Sequence, residues 1–167
     1  MAAAARSSRI NDQLSHLVVR RVAASPPERL AWAVRAARSW LGPEQPDAPR
    51  GMHRHQADLR LRVSDRPGLV TFGKAAFVDL GEVQPLADGW QVEVSWRAAG
   101  LAPLFPVFSG MLVTRAGELS ISGWYAPPGG AVGRLADRAL LHIAAEGTAR
   151  WLLGELDRAA QAAGASG

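Results

Sequence analysis

The chain has 167 residues, a formal net charge of +4 and no cysteine. This length suits one domain whose core needs no disulfide or metal to hold it together. The lack of cysteine excludes a disulfide framework, a thiolate nucleophile and cysteine-ligated zinc or iron–sulfur sites within these residues. We expect a single domain over residues 10–160, with flexible tails at 1–9 and 161–167.

The positive charge is spread along the chain and does not indicate a nucleic-acid surface. Arginine supplies nearly all of it, since Lys74 is the only lysine, and acidic residues lie between the arginines. With the high alanine content, this indicates a GC-rich, bacterial genome more than a basic groove interleaved with aromatic residues. No secretory signal is evident and no segment has the roughly 18 apolar residues of a membrane span, so we expect a cytoplasmic protein.

The N-terminal part of the predicted domain is a strand followed by a helix. Residues 14–22, LSHLVVRRV, are rich in β-branched side chains and precede a Ser-Pro-Pro turn, which predicts a strand. Residues 25–42 predict a helix that Ser25 caps and Gly42 ends. Its apolar positions predict one buried stripe made of Leu30, Trp32, Val34, Ala37 and Leu41.

Alternating apolar and polar residues then replace the helical period and predict antiparallel strands. The alternation is interrupted by turns at 64–68 and 85–89, and it is strictest over residues 90–97, WQVEVSWR. Two further strands, within residues 104–115 and 118–125, are joined by a tight turn at Ala116-Gly117. Together with the first strand, these segments predict an antiparallel sheet of about six strands.

One long C-terminal helix is predicted over residues 131–161, with Ile143, Gly147 and Trp151 among the residues of its apolar face. The order of strand, helix, meander and helix gives the α+β class. A curved antiparallel sheet must bury its apolar face, and only this helix is large enough to cover it. A sheet wrapped around one helix leaves a gap in which small-molecule pockets form.

Two stretches of the sequence resemble a known family. Residues 123–137 carry the pattern G-W-Y-x-P-P-G-G-x-x-G-x-x-x-D, and the first strand runs into AASPPERLAWAV at residues 23–34. Over residues 14–156 the chain resembles the START-like superfamily, the SRPBCC group of polyketide cyclase/dehydrase and lipid-transport proteins. The resemblance implies a helix-grip fold with a cavity for an apolar or amphipathic ligand. It implies no single reaction and no catalytic residue, because members that share this fold differ in function.

Two histidines lie at the start of the run in which apolar and polar residues alternate. Counting by twos from Leu59 places His53 and His55 on the inward face of the predicted sheet. Imidazole acts as base, acid or ligand near neutral pH, so polar contacts at a cavity mouth are one interpretation. A metal site is another, but zinc needs three or four ligands and no third lies nearby, so we expect none. The simplest interpretation is that both histidines lie at a partly solvent-exposed strand end beside the Pro-rich loop.

Lys74 is the strongest polar candidate for a ligand contact on the next strand. It falls in phase with Phe72 and Ala76, which directs it inward unless a bulge at Gly73 reverses the register and exposes it. An inward lysine would bind a ligand carboxylate or form a Schiff base. Because lysines are rarely buried, a solvent-facing or rim position is the more typical outcome.

Aromatic residues also lie on the predicted apolar strand faces. The set is Phe72, Trp90, Trp96 and Tyr125. Core packing accounts for them, and the walls of a pocket are the alternative. Tyr125 is the better ligand candidate, because its hydroxyl needs a partner when it is buried. On the long helix, Glu146 and Arg150 have the spacing of an ion pair, which we expect on the surface.

The sequence therefore predicts a protein that binds one hydrophobic or amphipathic small molecule, of lipid, polyketide or isoprenoid type, between the sheet and the C-terminal helix. The candidate contacts are His53, His55, Phe72, Lys74, Trp90, Trp96 and Tyr125. A cyclase or dehydratase that uses such residues as acid or base is one alternative, and an interaction module without a ligand is another. We expect no cofactor, no nucleic-acid partner and no stable membrane insertion, and the sequence fits a monomer or a homodimer.

Overall fold

A computed structural model of the chain describes residues 14–62, 71–100, 105–115, 117–126 and 138–165, without the side chains of 60–62, 71–74 and 138–140. These residues form an α+β fold, as predicted. The strands are β1 (Ser15–Val22), β2 (Glu44–Gln45), β3 (Met52–Arg62), β4 (Thr71–Gly81), β5 (Gln84–Leu86), β6 (Gly89–Ala98), β7 (Val107–Arg115) and β8 (Glu118–Ala126). The helices are α1 (Pro27–Arg35) and α2 (Arg138–Ala165), and a 3-10 turn at Ala37–Ser39 follows α1.

The strands form one antiparallel sheet in the order β1-β8-β7-β6-β4-β3-β2, with the short β5 paired to β6. From β2 onward the strands pair in chain order, as in a meander, except that β5 lies off this path, and β1 pairs with the last strand, β8. The connection between β7 and β8 is the predicted two-residue turn, since Arg115 lies opposite Glu118 and Gly117 has a φ of 79°. In the described part of the chain, no helix is both long and apolar enough to cross a membrane.

The concave face of the sheet is apolar and holds α2. On β6 the predicted inner residues, Trp90, Val92, Val94 and Trp96, are all buried. The helix contacts β1 at one edge of the sheet, β3 near the other edge, and β8. A sheet that touches one helix from both sides is the helix-grip arrangement that the sequence predicts.

Two opposed glycines bring β7 and β8 close together beneath an aromatic ring. Gly110 pairs with Gly123, and a Cβ on Gly110 would stand 2.2 Å from the carbonyl oxygen of Ser122. The Cζ atom of Phe108 would lie 2.8 Å from that Cβ and 2.7 Å from one built on Gly123. Neither position has room for a side chain, so the Phe108 ring fills the space that the two glycines leave.

The first helix differs from its prediction in length, cap and buried face. It starts after Pro26, and no side chain caps it. The predicted cap, Ser25, lies one residue before the N-cap position, and its side-chain Oγ donates to the backbone carbonyl oxygen of Asp157 at 3.5 Å. The cap prediction was wrong because the helix begins one residue later and this hydroxyl bonds to a residue distant in sequence. Trp32 is 51% exposed and lies outside the buried stripe, which consists of Leu30, Ala31, Ala33 and Val34.

The buried face of α2 is rotated from the predicted one. Ile143 is 41% exposed, and Gly147 and Trp151 are only half-buried. The buried positions are Leu141, Ala145, Thr148, Ala149, Leu152, Leu153, Leu156, Asp157 and Ala160. Alanine allows the helix to approach the sheet closely, a preference that a hydrophobic stripe does not reveal. The helix also continues through Ala165, beyond its predicted end at residue 161.

The predicted ion pair on α2 is confirmed as a surface feature. Nη2 of Arg150 lies 2.6 Å from Oε1 of Glu146, and the two side chains are 67% and 35% exposed. A pair in this position adds only a few tenths of a kcal/mol to stability, about 0.3–0.5 kcal/mol for helix pairs of this spacing. It does not belong to a ligand site.

A buried carboxylate joins α2 to the connection between β1 and α1. Asp157 is 1% exposed. Its Oδ1 accepts hydrogen bonds from the backbone N–H groups of Ala24 and Ser25, both at 3.2 Å. Its Oδ2 lies 3.6 Å from Nη2 of Arg21. Because a buried carboxylate is tolerated only when donors surround it, this contact fixes the C-terminal half of α2 beside β1.

We expect the substitution Asp157→Asn to lower the free energy of unfolding by about 2 kcal/mol or more. The amide lacks the negative charge that these backbone donors need, and its own N–H₂ group faces other donors. Glu155→Gln is the matched control, since the ion pair of Glu155 with Arg158 lies on the surface of the same helix. Urea unfolding followed by circular dichroism measures both, and equal midpoints would contradict the anchoring role.

Candidate functional site

One cross-strand row of the concave face collects large aromatic side chains. The register pairs Trp96 with Phe108, and Phe108 with Tyr125. The rings of Trp96 and Phe108 are stacked, with centroids 3.9 Å apart and an angle of 10° between their planes. All three side chains are buried. These residues are hereafter called the aromatic row, and they pack side by side in the core on the inside of the grip.

The indole N–H of Trp96 is buried and has no hydrogen-bond acceptor among the residues that the structure describes. Trp90, on the same face of the same strand, donates its indole N–H to the carbonyl oxygen of Pro27 at 2.8 Å. A buried donor without a partner costs about 1–3 kcal/mol, so most buried indoles find one. Within the described part of the chain, Trp96 therefore presents an unpaired hydrogen-bond donor in the aromatic row.

The phenol of Tyr125 connects the aromatic row to α2. Its hydroxyl oxygen lies 3.0 Å from Nδ1 of His142, and Tyr125 is buried whereas His142 is exposed. Because an exposed imidazole exchanges protons with water, this pair can move a proton between the buried row and solvent. The sequence did not predict a role for His142. Only the strand register, which brings Tyr125 to the start of the helix, reveals the pair.

A separate cavity of about 260 Å³ lies between α1 and the neighbouring ends of β3 and β4. Val34, Ala37 and Leu80 give it apolar walls. Its polar lining consists of Arg35, Arg38, Glu44, His53, His55 and Glu82. It is hereafter called the α1 cavity. Both histidines share its wall, in agreement with the face that the alternating pattern predicts for them.

His55 is buried in the wall of the α1 cavity with one nitrogen fixed. Its Nδ1 lies 3.0 Å from the carbonyl oxygen of Gly42. A carbonyl only accepts, so Nδ1 carries the hydrogen and the lone pair of the neutral ring is on Nε2. Gly42 has a φ of 109°, and a Cβ there would stand 2.7 Å from the carbonyl oxygen of Gln56. Glycine is therefore required for this close approach.

His53 lies at the rim of the same cavity between two carboxylates. Its side chain is 52% exposed, which matches the predicted wet strand end. Nδ1 lies 2.7 Å from Oε1 of Glu44, and Nε2 lies 3.3 Å from Oε1 of Glu82. Only the protonated ring donates from both nitrogens. The hydrogen bonds to Glu44 and Glu82 raise the pKa of His53, and the same contact with His53 lowers the pKa of Glu44.

We expect Glu44→Gln to lower the pKa of His53, and Glu82→Gln to lower it less because that contact is longer. The raised pKa of His53 stabilises the fold fully below its unfolded pKa of about 6.5, and this contribution is lost as pH rises through the folded pKa. The lowered pKa of Glu44 stabilises the fold above the unfolded value of about 4.3, and this is lost as pH falls through the folded pKa.

The stability difference between the wild-type protein and Glu44→Gln should therefore be greatest between about pH 4.3 and 6.5. NMR titration of the His53 ring protons measures the pKa directly. An unchanged pKa of His53 in Glu44→Gln would contradict the observed pairing.

A buried ion pair on the outer face holds the strands that carry this rim. The guanidinium of Arg54 donates to both oxygens of Asp79, from Nε at 2.7 Å and from Nη2 at 2.9 Å. Its Nη1 also donates to Oδ2 of Asp47 at 2.9 Å. The hydrogen bonds to Asp79 raise the pKa of Arg54, so the guanidinium stays charged. The contact ties the loop before β3 to β4 and thereby positions Glu44 beside His53.

The structure does not bring the other sequence candidates into one site. Trp90 lines an open cleft of about 580 Å³ between α1 and the β5–β6 hairpin. The register of β3 with β4 runs without a bulge, and it places Lys74 opposite Leu59 and Phe72 opposite Leu61. The side chains of Phe72 and Lys74, and residues 127–137 of the family-like pattern, lie outside the described residues. Among the described residues, no group of three or more His, Asp or Glu side chains is arranged to hold a metal ion.

The fold is similar to that of a solved protein of a biosynthetic pathway. No protein-family model matches the chain, and no curated protein sequence matches it significantly. The structure superposes on the di-domain ARO/CYC StfQ from the steffimycin biosynthetic pathway with a TM-score of 0.53 and 13% sequence identity. The match covers 96% of this chain and 54% of StfQ, so the chain spans about half the length of that protein. The chain has a START-like helix-grip fold.

A second solved structure, DynU16 from the dynemicin biosynthetic locus, matches more weakly. Its TM-score is 0.40 at 20% identity, over 88% of this chain and 46% of DynU16. That likeness is too weak to support an argument. The START-like helix-grip fold therefore rests on the sheet, the gripping helix and the StfQ superposition.

Proposed function

We propose that this START-like protein binds one hydrophobic or amphipathic small molecule against the aromatic row. The indole N–H of Trp96, which has no acceptor among the described residues, is the observation that carries the proposal, because a ligand oxygen would satisfy it. The row is also built from aromatic rings, Trp96 and Phe108 among them, and aromatic side chains are typical of the walls of apolar ligand sites. Of the contacts predicted from the sequence, this site uses Trp96 and Tyr125.

A polyketide or polyketide-like ketone suits this surface better than a simple lipid. Such a molecule combines planar, apolar carbon with several carbonyl oxygens, and one of these can accept from the Trp96 N–H. A fatty acid or isoprenoid supplies the apolar body but few acceptors along its length. The likeness of the fold to StfQ, an ARO/CYC protein of a biosynthetic pathway, supports the same choice.

We expect native mass spectrometry of the freshly purified protein to show a stoichiometric small molecule. Trp96→Phe should lose most of this occupancy, about tenfold in affinity, because the donor to the ligand is gone. Both Trp96→Phe and Trp90→Phe shorten a buried ring, so each should lower the stability of the ligand-free protein by about 1–3 kcal/mol, Trp90→Phe partly through its lost hydrogen bond to Pro27. Trp90→Phe is therefore the matched control, because it should lose stability but leave the occupancy unchanged.

A ligand-free mass, together with no thermal shift across a panel of fatty acids and aromatic ketones, would overturn the binding proposal. It would favour an interaction module with a filled core. Equal occupancy in the two tryptophan variants would show that the ligand lies elsewhere.

A cyclase or dehydratase is the second candidate, and the contact between Tyr125 and His142 favours it. In an intramolecular aldol condensation, a methylene carbon gives a proton to water and bonds to a carbonyl carbon, whose oxygen takes up a proton and becomes a hydroxyl. The same carbon then gives a second proton to water, a carbon–carbon double bond forms, and the hydroxyl takes up a further proton and leaves as water. Tyr125 would donate the proton to that oxygen, and His142 would return a proton to Tyr125 from solvent. The phenol lies in the row that would hold the carbonyl.

For this second candidate we expect Tyr125→Phe to slow cyclisation of a linear poly-β-ketone thioester by about 100-fold or more, with much less effect on its binding. Liquid chromatography with mass detection measures the loss of water from the thioester. Equal rates for the wild-type protein, Tyr125→Phe and a protein-free control would exclude catalysis by Tyr125 and leave ligand binding as the function.

A further inference from the structure

We propose that the α1 cavity is a second binding site, which takes a small organic acid with an apolar body and a hydroxyl group. It is distinct from the aromatic row, none of whose residues is among its walls. His55 and Trp96 lie on one cross-strand row with Val78 between them, which separates their backbones by about 10 Å. The proposal therefore does not depend on the function proposed for the aromatic row.

The charge of the cavity points to a carboxylate. Its two acidic side chains, Glu44 and Glu82, are both engaged by His53 at the rim. Within the described residues, neither Arg35 nor Arg38 has a hydrogen-bonded acidic partner, although Arg38 attracts Glu44 through space. A guanidinium binds a carboxylate through two parallel hydrogen bonds, which makes it the natural receptor for an organic acid.

The buried wall of the cavity points to the rest of the ligand. Nε2 of His55 carries the lone pair, because Nδ1 donates to Gly42, and it can accept a hydrogen bond from a ligand hydroxyl. Val34, Ala37 and Leu80 provide an apolar surface beside it. The volume of about 260 Å³ lies just below the usual range of about 300–1,000 Å³ for ligand pockets. A single-ring hydroxy acid fits these features, and a larger polycyclic molecule does not.

The test is an NMR titration of the full chain with 4-hydroxybenzoate, observed at the ring nitrogens of His55. We expect a saturable shift of the His55 Nε2 signal, and binding of the neutral 4-hydroxybenzamide weaker by about tenfold or more. Arg35→Gln should weaken 4-hydroxybenzoate to a similar extent. Arg29→Gln is the matched control, because Arg29 lies on the same helix but does not line the cavity. Trp96→Phe should leave this binding unchanged.

Three results would overturn the proposal. The first is no saturable response of His55 with 4-hydroxybenzoate up to about 10 mM, a concentration at which even a weak site fills. The second is an affinity for 4-hydroxybenzamide or for inorganic phosphate equal to that for 4-hydroxybenzoate. Equal binding of the amide would show that the site does not recognise the charge, and equal binding of phosphate would show that it does not recognise the apolar body. The third is equal binding by Arg35→Gln and Arg29→Gln. If Arg35→Gln does not fold, the affinities of the wild-type protein for 4-hydroxybenzoate, 4-hydroxybenzamide and phosphate still test the proposal.

Discussion

The contact of Asp157 with the backbone of Ala24 and Ser25 sets the position of α2, on which the rest of the structure depends. A sheet with one apolar face needs a cover, and here one helix supplies most of it. Hydrophobic contacts alone do not determine where along the sheet such a helix lies. The buried carboxylate does, because its acceptors must meet two particular N–H groups between β1 and α1.

The two ends of the gripped helix consequently have different roles. From Asp157 back to His142 the helix spans about 22 Å, and at His142 it meets the aromatic row through Tyr125. The anchored end is closed by α1 and by hydrogen bonds that satisfy the buried polar groups. At the other end, the aromatic row continues from Tyr125 across Phe108 to Trp96 on the sheet. The buried carboxylate that anchors α2 lies towards one end of the helix, and the site proposed for a ligand lies towards the other.

The sheet could be predicted from the sequence because apolar and polar residues alternate strictly along its strands. Successive side chains of a strand point to opposite faces, so the apolar positions identify the buried face. Trp90, Trp96 and Tyr125 are buried as predicted for this reason. The buried faces of the helices were harder to predict. The face of α2 that packs on the sheet is rich in alanine, and a hydrophobic pattern gives alanine less weight than Ile143 or Trp151. The pairings of Ser25 with Asp157 and of Tyr125 with His142 join residues far apart in the chain. No local pattern contains such contacts, so the polar half of the candidate site could not be predicted.

A ¹H–¹⁵N correlation spectrum of the indole N–H groups tests the central claim most directly, since each of the six tryptophans gives one such signal. The claim is that Trp96 donates to a bound ligand. On addition of 1-tetralone, a bicyclic aromatic ketone, the Trp96 signal should shift and its exchange with solvent should slow, while the Trp90 signal stays unchanged. A ketone that binds without moving the Trp96 signal, or that moves both signals equally, would contradict the account.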